Sequence, residues 1–366
     1  MSSTVPRIQE YVTFHAAKGK MSRPILTGPA MKSTFESIPH VDFDKAFSES
    51  VDERRQVADK VGKAFKEVGF LYAINHGISE DLQHRTTAVI KEFFALPIEE
   101  KMKIHLHKSW AIQGYEPLLE TRIDDSTRGD LKEAVNFSTC RFDPECGFPD
   151  DLDASKYPSK PTNQWPERPT SFRSTVLEYR KAVLAFSLKL VQIIALALDL
   201  PENHFDAMMK FPAGGIRPLH YPPQEVNTDV GLGAHADYSW FTLVNQLSAT
   251  PALEVLNHNG GWVSAPPIAN TLVVNVGDFL ERASNDVFVS TVHRVVNKTG
   301  EERYSLPFFL SPNQDAIVEV LPSCISEERP ARYESVRCGN WIEERLLRAR
   351  RNHPLSVAAR KSRGVE

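Results

Sequence analysis

The sequence contains few cysteines and no strong excess of charge of either sign. Only four cysteines occur among its 366 residues, and no two of them form a Cys-x-x-Cys pair, which argues against a disulfide framework or a zinc ribbon. Such a set fits reduced thiols in a cytosolic protein. The formal net charge is −4, so the chain as a whole offers no electrostatic basis for binding nucleic acid or an anionic membrane surface.

Long apolar runs are also missing. The first residues, MSSTVPRIQEYVTFHAAKGK, contain no apolar core of signal-peptide length, and no uninterrupted run approaches the ~18 apolar residues of a membrane-spanning helix. The last residues, RKSRGVE, carry no recognisable targeting signal. We therefore expect a cytoplasmic protein without a membrane partner, and no pattern in the sequence indicates an oligomeric state.

Hydrophobic residues make up 41% of the chain and charged residues 25%, as in ordinary globular proteins. Helical spacing of apolar residues predicts a helix in SVDERRQVADKVGKAFKEVGF that ends at Gly69, a second helix capped by Ser79, and a long buried helix near 169–198. Between 213 and 311, about eight short β-forming runs, with an Asn-Gly hairpin signal at 259–260, predict a jelly roll or barrel.

These differences in composition and apolar periodicity divide the chain into five segments. They are a polar amino-terminal extension without sustained periodicity (1–37), a region of helices and loops (38–168), a buried support helix with its connection (169–211), a strand-rich core (212–315) and a carboxyl-terminal helical segment (316–366). The expected fold class is α+β, with a mainly β core flanked by helices.

A histidine and an aspartate lie two positions apart in the run GLGAHADYSWFTLVNQ. In an extended segment residues i and i+2 point to the same face, so the side chains of His235 and Asp237 should point the same way. The pattern alone is weak, because His-x-Asp also occurs at 40–42 and 204–206, where an ordinary surface or capping role is expected.

A third histidine, His293, lies in the apolar run VSTVHRVV. Two histidines and one carboxylate that converge from two strands form the facial set that binds non-haem Fe(II). Such a set leaves three coordination positions open for a bidentate co-substrate and dioxygen. Taken alone, His293 fits equally well a core histidine whose ring nitrogens bond to strand carbonyls.

Ten residues after His293 the sequence reads RYS, and strand alternation places Arg303 and Ser305 on one face. An inward arginine in a β core is costly unless it meets an anion. Its planar fork binds a carboxylate bidentately, and the serine hydroxyl adds a donor. Arg-x-Ser also occurs at 282–284 and 360–362, which we interpret as solvent-exposed, so the pattern alone is weak. The position of Arg303 relative to His293 distinguishes it from the other two arginines.

The segments HADYSWFTLVNQ, STVHRVVN and RYSLPFF resemble the core motifs of the Fe(II)/2-oxoglutarate oxygenases of the isopenicillin N synthase type. IPHVDF, GFLYAINHGI, FFALPIEEKMK, DLKEAVNF and NQWP are similar to the amino-terminal region of that family, so the resemblance covers roughly residues 38–348. It implies a distorted double-stranded β-helix (jelly roll) flanked by helices, with the Fe(II)/2-oxoglutarate catalytic core at 212–315.

The resemblance also implies roles for individual residues. His235, Asp237 and His293 fall on the iron ligands of the family. Arg303 and Ser305 fall on the residues that hold the distal carboxylate of 2-oxoglutarate.

Other site residues follow less directly. Tyr221, in HYPP, falls where the family often has a tyrosine that donates to the same carboxylate; a packed aromatic beside a proline turn is the alternative. The long loops of 106–137 and the strand of Arg303 provide three candidate substrate contacts: Tyr115, Arg122 and Phe308.

The reaction implied is that of a non-haem Fe(II)/2-oxoglutarate-dependent dioxygenase. Such an enzyme uses O2 to activate a C–H bond of a small or medium organic substrate, by hydroxylation, desaturation or ring formation, and releases succinate and CO2. We expect a small-molecule substrate, and a natural-product intermediate is our hypothesis.

Three alternatives stay open at this point. A 2-oxoglutarate-independent oxidase of the same family would keep both Arg303 and Ser305. A non-catalytic binding module on an inactive jelly roll would have little use for all three metal ligands. A zinc hydrolase is weaker still, because the helical His-Glu-x-x-His motif is absent.

Overall fold

The computed structural model describes residues 10–16, 19–122, 129–224 and 230–363. Its strands are β1 (Tyr11–Ala16), β2 (Gly19–Pro24), β3 (His40–Asp42), β4 (Phe70–Ile74), β5 (Gly114–Glu116), β6 (Glu133–Ser138), β7 (Pro212–Ile216), β8 (Leu219–Tyr221), β9 (Leu232–His235), β10 (Phe241–Gln246), β11 (Leu253–Leu256), β12 (Trp262–Ser264), β13 (Leu272–Val276), β14 (His293–Val295), β15 (Arg303–Asn313), β16 (Ile317–Val318) and β17 (Val336–Arg337). Its helices are α1 (Val51–Glu67), α2 (Glu80–Phe94), α3 (Ile98–Met102), α4 (Phe172–Ala197), α5 (Asp278–Ala283), α6 (Cys338–Ala349) and α7 (Pro354–Ser362).

Two sheets form the core of the molecule. The smaller sheet has the order β12-β11-β14-β9-β1-β2, and the larger has the order β3-β4-β13-β10-β15-β7-β6-β5, with β8 paired to β15 and β6. Apolar side chains of both sheets meet in one buried cluster, which includes Phe70 and Leu219 from the larger sheet and Val255 and Val295 from the smaller. The expected α+β class with a mainly β, jelly-roll core is confirmed.

Helices α1, α2 and α4 cover the other face of the larger sheet. Helix α1 begins after Ser50, whose side chain accepts a hydrogen bond from the backbone N–H of Glu53, and it ends just before Gly69 at φ +75°. The long buried helix predicted near 169–198 is α4. Its apolar side chains share one core with α1 and with inward residues of β10 and β15. This packing fixes the outer face of the sheet and leaves the inner face available for a site.

The segment before Ile38 contains a hairpin that the sequence did not indicate. Strands β1 and β2 pair antiparallel, and β1 also pairs in parallel with β9, where His15 lies opposite His235. The backbone N–H of Ala236 donates to the carbonyl of His15 at 2.8 Å. An edge hairpin with both faces partly exposed carries many polar residues, which hide the alternation that marks a strand. The hairpin forms a wall beside His235.

Helix α6 also borders the site region. The ring of Trp341 stacks on Phe279 at a centroid distance of 5.1 Å, and its indole N–H donates to the carbonyl of Tyr238 at 2.7 Å. The helix is thereby attached to the loop that follows β9. No helix in the described part of the chain combines the length and apolarity required to cross a bilayer.

Candidate active site

His235, Asp237 and His293 converge between the two sheets. His235 ends β9 and His293 begins the adjacent strand β14, where the two residues are register partners. Asp237 Oδ1 lies 3.5 Å from His235 Nε2 and 3.8 Å from His293 Nε2. The three donor atoms lie within 4.8 Å of one another. Two imidazoles and a carboxylate at these distances form a set that a divalent metal ion can join.

Backbone carbonyls orient both imidazoles. His235 Nδ1 lies 2.9 Å from the carbonyl of Gly233, and His293 Nδ1 lies 3.2 Å from the carbonyl of Thr291. A carbonyl only accepts hydrogen bonds, so each Nδ1 carries the proton and each Nε2 lone pair faces Asp237. This is the tautomer that a metal ligand requires.

Asp237 lies beyond the end of β9, in a loop held by the start of α5. The backbone N–H of Asp278 donates to the carbonyl of Asp237 at 2.7 Å. The loop passes so close to Gly277 that a Cβ there would lie 2.1 Å from the carbonyl oxygen of Ser239. Only glycine tolerates that approach. The side chains of Asp237 and His235 therefore converge as predicted, but a tight loop rather than strand alternation directs the carboxylate.

Two side chains of the larger sheet fix the orientation of the Asp237 carboxylate. Its Oδ2 accepts a hydrogen bond from the Thr242 hydroxyl at 2.5 Å and another from the Asn275 amide at 2.9 Å. The other oxygen, Oδ1, is left facing the two histidines. Neither residue was predicted from the sequence, although alternation along β10 places Thr242 on the inner face.

Replacing Thr242 by valine should weaken metal binding while the fold is retained. Valine has nearly the same shape but leaves Oδ2 of Asp237 with one hydrogen bond fewer, and loss of such an outer partner typically costs about 10–100-fold in metal affinity. Thr242→Ser keeps the hydroxyl and is the matched control. The measurement is a Fe(II) titration of both variants; equal affinity in Thr242→Val and Thr242→Ser would contradict an orienting role.

The electrostatics of His293 and Asp237 favour the protonation states of metal ligands, whereas those of His235 favour its charged form until a metal ion replaces the proton. Burial, together with the nearby His235, lowers the pKa of His293 to about 4. Although burial alone would raise it, the two histidines and Thr242 hold the pKa of Asp237 well below its usual range. Burial opposes the charge of His235, but its contact with Asp237 outweighs this and raises the pKa of His235. The site therefore holds an ionised carboxylate next to a neutral His293.

Arg303 lies on β15 as a buried cation, 2% exposed. Its Nη1 lies 3.3 Å from Ser305 Oγ, its Nη2 lies 3.3 Å from Gln246 Oε1, and its guanidinium lies 4.9 Å from the centre of the Tyr221 ring. Within the described residues no carboxylate pairs with it, and burial lowers its pKa. A buried cation without a counter-charge is costly, so this position is built to receive an anion.

Tyr221 is a packed aromatic that lies beside Arg303, and its role as a donor to the co-substrate stays a prediction. Its ring packs in the cluster between the sheets, and the residue lies opposite Arg303 in the register of β8 and β15. Burial raises the pKa of its hydroxyl despite the nearby Arg303. The phenol is therefore neutral and retains a proton that it can donate.

Of the three candidate substrate contacts, only Arg122 lines the cavity next to these residues. Tyr115 is instead a core residue, 1% exposed, whose hydroxyl donates to Glu133 at 2.5 Å. Phe308 is fully buried in the core against the helices, and its neighbour Phe309 lines the cavity. The placement of Tyr115 and Phe308 in the cavity was wrong. For Phe308 the reason is alternation, because positions 303, 305, 307 and 309 share the inner face of β15.

The cavity has a volume of about 520 Å³ and opens beside the three converging residues. Its wall is built from inner faces of both sheets, from His15 and Lys20 of the amino-terminal hairpin, and from Arg345 and Arg350 in and after α6. This size is typical of pockets for small organic ligands. The hairpin could not be placed there from local sequence patterns.

A second group of potential metal ligands, His105, His107 and Glu120, does not line this cavity. His107 Nε2 pairs with Glu120 Oε1 at 2.8 Å, and His105 Nδ1 accepts the backbone N–H of His107 at 3.3 Å. His107 and Glu120 thus already pair with each other, and the ring of His105 already bonds to the backbone, in a partly exposed loop. The other two His-x-Asp pairs contribute no ligand group within the described residues, and Asp42 caps the turn at Asp44.

Two family models match the chain. Residues 38–168 match the model described as the non-haem dioxygenase in morphine synthesis N-terminal region, and residues 211–312 match that of the 2OG-Fe(II) oxygenase superfamily. The second match contains His235, Asp237, His293, Arg303 and Ser305. It therefore coincides with the residues that converge in the structure.

Individual proteins are similar over most of the chain. The 2-oxoglutarate-Fe(II) type oxidoreductase ppzC of Metarhizium majus is 32% identical, covering 90% of this chain and 92% of its own length. A homoarginine-6-hydroxylase of Arabidopsis thaliana is 36% identical, covering 80% and 90%. The crystal structure of a full-length Neurospora crassa protein in complex with alpha-KG and thymine superposes with a TM-score of 0.73 at 29% identity, covering 84% of this chain and 96% of that one.

Proposed function

The chain belongs to the 2OG-Fe(II) oxygenase superfamily, and on that premise we propose which of its residues carry the reaction. It is a 2-oxoglutarate-dependent Fe(II) dioxygenase, as its relatives indicate. We assign Fe(II) to His235, Asp237 and His293. The observation that carries this proposal is the convergence of two Nε2 atoms and one carboxylate oxygen within 4.8 Å, each oriented by its own hydrogen bonds.

We assign the distal carboxylate of 2-oxoglutarate to Arg303, Ser305 and Tyr221. The donor set fits this group, because a buried guanidinium without a carboxylate partner among the described residues lies beside a serine hydroxyl and a neutral phenol. Arg303 offers a planar fork that matches a carboxylate. Gln246, which contacts Arg303 at 3.3 Å, holds the guanidinium in place from β10.

The residues of the chain bind and orient the metal ion and the co-substrate, and they exclude water. The two histidines and Asp237 present three donors on one side, so the opposite side stays open to the cavity. Arg303 would hold the distal carboxylate of the co-substrate, and it lines the same cavity as these donors. Bound Fe(II) supplies the redox chemistry, in which O2 oxidises a substrate C–H bond while 2-oxoglutarate becomes succinate and CO2. The buried wall of the cavity limits side reactions with water.

Anaerobic addition of Fe(II) and 2-oxoglutarate tests this assignment. We expect a visible charge-transfer absorption band that needs both components, and on admitting air we expect succinate to form. Removal of iron with a chelator should abolish both signals, and Zn(II) should occupy the site without restoring them. A protein that gives neither the band nor iron-dependent succinate would contradict the proposal.

The substrate is a small molecule. Among the relatives, one is named for hydroxylation of homoarginine and another was crystallised with thymine. The cavity of about 520 Å³ has room for such a ligand and for a larger natural-product intermediate, which we propose as the substrate. A cytoplasmic location is part of the same proposal, supported by four cysteines that are all free thiols.

A further inference from the structure

The wall of the cavity has a large local excess of basic side chains. Among the described residues that line it, eight are lysine or arginine and two are aspartate. The whole chain, in contrast, has 43 basic and 47 acidic residues. One of the two lining aspartates is Asp237, which is already assigned to iron. The excess of basic residues is therefore a property of this wall and does not reflect the general composition, although Arg345 and Arg348 pair with Glu344, which does not line the cavity.

Part of the excess comes from a buried ionic cluster that joins distant segments of the chain. Glu116 accepts hydrogen bonds from Lys132 Nζ at 2.6 Å and Arg217 Nη2 at 2.8 Å, and its other oxygen lies 3.6 Å from Arg350 Nε. Although burial alone would raise it, these three cations hold the pKa of Glu116 well below its usual range. Asp130 also attracts Lys132. Even so, two carboxylates face three cations.

Arg217 and Arg350 present this charge to the cavity. Both line it, Arg217 with 15% and Arg350 with 9% of its side chain exposed. Each uses one terminal nitrogen on the protein: Arg217 Nη2 donates to Glu116, and Arg350 Nη2 donates to Asn136 Oδ1 at 3.3 Å. Within the described residues the other terminal nitrogen of each has no protein acceptor, so a ligand can take it.

The iron and its co-substrate do not balance this charge. In the proposed site the charges of Fe(II), Asp237, doubly ionised 2-oxoglutarate and Arg303 cancel. A neutral substrate that filled the rest of the cavity would expel water from the second terminal nitrogens of Arg217 and Arg350 without replacing it by an acceptor, which is unfavourable. An anionic substrate compensates them.

We propose that the substrate is an organic carboxylic acid whose carboxylate binds at Arg217 and Arg350. The inference rests on the proposed function and specifies its substrate class. Arginine forks match a planar carboxylate, and apolar side chains that line the same cavity, such as Phe137, Phe309 and Leu346, provide a surface for an apolar body. The substrate so defined has a charged end and an apolar remainder that carries the C–H bond to be oxidised.

Matched acids and amides test this proposal. The probes are phenylacetate, indoleacetate and cinnamate, each paired with its neutral amide, titrated anaerobically into protein loaded with Fe(II) and 2-oxoglutarate. We expect at least one acid to bind about tenfold or more tightly than its amide, because hydrogen bonds to charged groups are the stronger ones. That preference should fall as salt is added and should largely disappear in Arg350→Gln.

Controls separate this inference from the function on which it rests. Arg332→Gln removes an arginine that pairs with Asp286 and does not line the cavity, and it should keep the preference for the acid. Arg217→Gln is the second test variant, with circular dichroism to confirm folding of each. Wild-type protein that fails to bind Fe(II) and 2-oxoglutarate would overturn the proposed function. If the wild-type protein binds both, three outcomes would overturn the acid proposal alone. These are that every amide binds as tightly as its acid, that no acid binds, or that the preference for the acid survives in both Arg350→Gln and Arg217→Gln.

Discussion

The Asp237→Ala variant is expected to lose Fe(II) binding and 2-oxoglutarate turnover while remaining folded. Its carboxylate is the sole anionic donor in the group formed with His235 and His293, and the loop that carries it is fixed by backbone contacts that alanine keeps. Loss of a ligand should cost more than the about 10–100-fold expected when an outer hydrogen bond is removed. Iron affinity should therefore fall by well over about 100-fold, measured by anaerobic titration.

The chain supplies a matched control for this variant. Asp206 follows His204 in the same His-x-Asp pattern, and both residues are exposed and distant in sequence from the site. Asp206→Ala should leave iron affinity and succinate formation at the wild-type level. His293→Ala should reproduce the loss seen in Asp237→Ala. Iron-dependent turnover with unchanged iron affinity in either ligand variant would remove the basis of the assignment.

Replacing Arg303 by methionine should selectively weaken binding of 2-oxoglutarate. Breaking a charged pair in a desolvated site costs about 2–5 kcal/mol, which corresponds to roughly 30- to 5,000-fold in the dissociation constant. Arg303→Lys keeps the charge but loses the planar fork, so an intermediate loss is expected. The measurement is the dissociation constant of 2-oxoglutarate for the Fe(II)-loaded protein, with iron affinity determined separately.

The stability of the same variant distinguishes a binding role from a structural role. Within the described residues Arg303 has no carboxylate partner, so its burial in the protein without co-substrate is a cost. Arg303→Met without 2-oxoglutarate should unfold at the wild-type temperature or higher. Arg360→Gln, which repeats the Arg-x-Ser pattern outside the cavity, is the control. Unchanged affinity for 2-oxoglutarate together with a lower unfolding temperature would indicate that Arg303 only supports the fold.

Elements with local signals could be predicted from the sequence. The cap at Ser50, the glycine at Gly69 and the apolar spacing between them define α1, and all three signals lie within one segment. The Asn-Gly signal likewise gives the β11–β12 hairpin, with Gly260 at φ +80°. The β1–β2 hairpin could not be predicted, because its position depends on pairing with β9 and on few apolar residues of its own.

For the candidate site, the sequence determined the chemical groups and the tertiary structure decided their use. The types of ligand and the arginine that we assign to the co-substrate are present in the motifs themselves. Which His-x-Asp pair meets His293 depends on the pairing of β9 with β14, and the direction of the Asp237 carboxylate depends on the loop closed at Gly277. The basic wall that includes Arg350 also exists only in three dimensions. The physical reason is that these contacts join segments far apart along the chain, whose proximity is fixed by packing of the whole fold and not by the preferences of neighbouring residues.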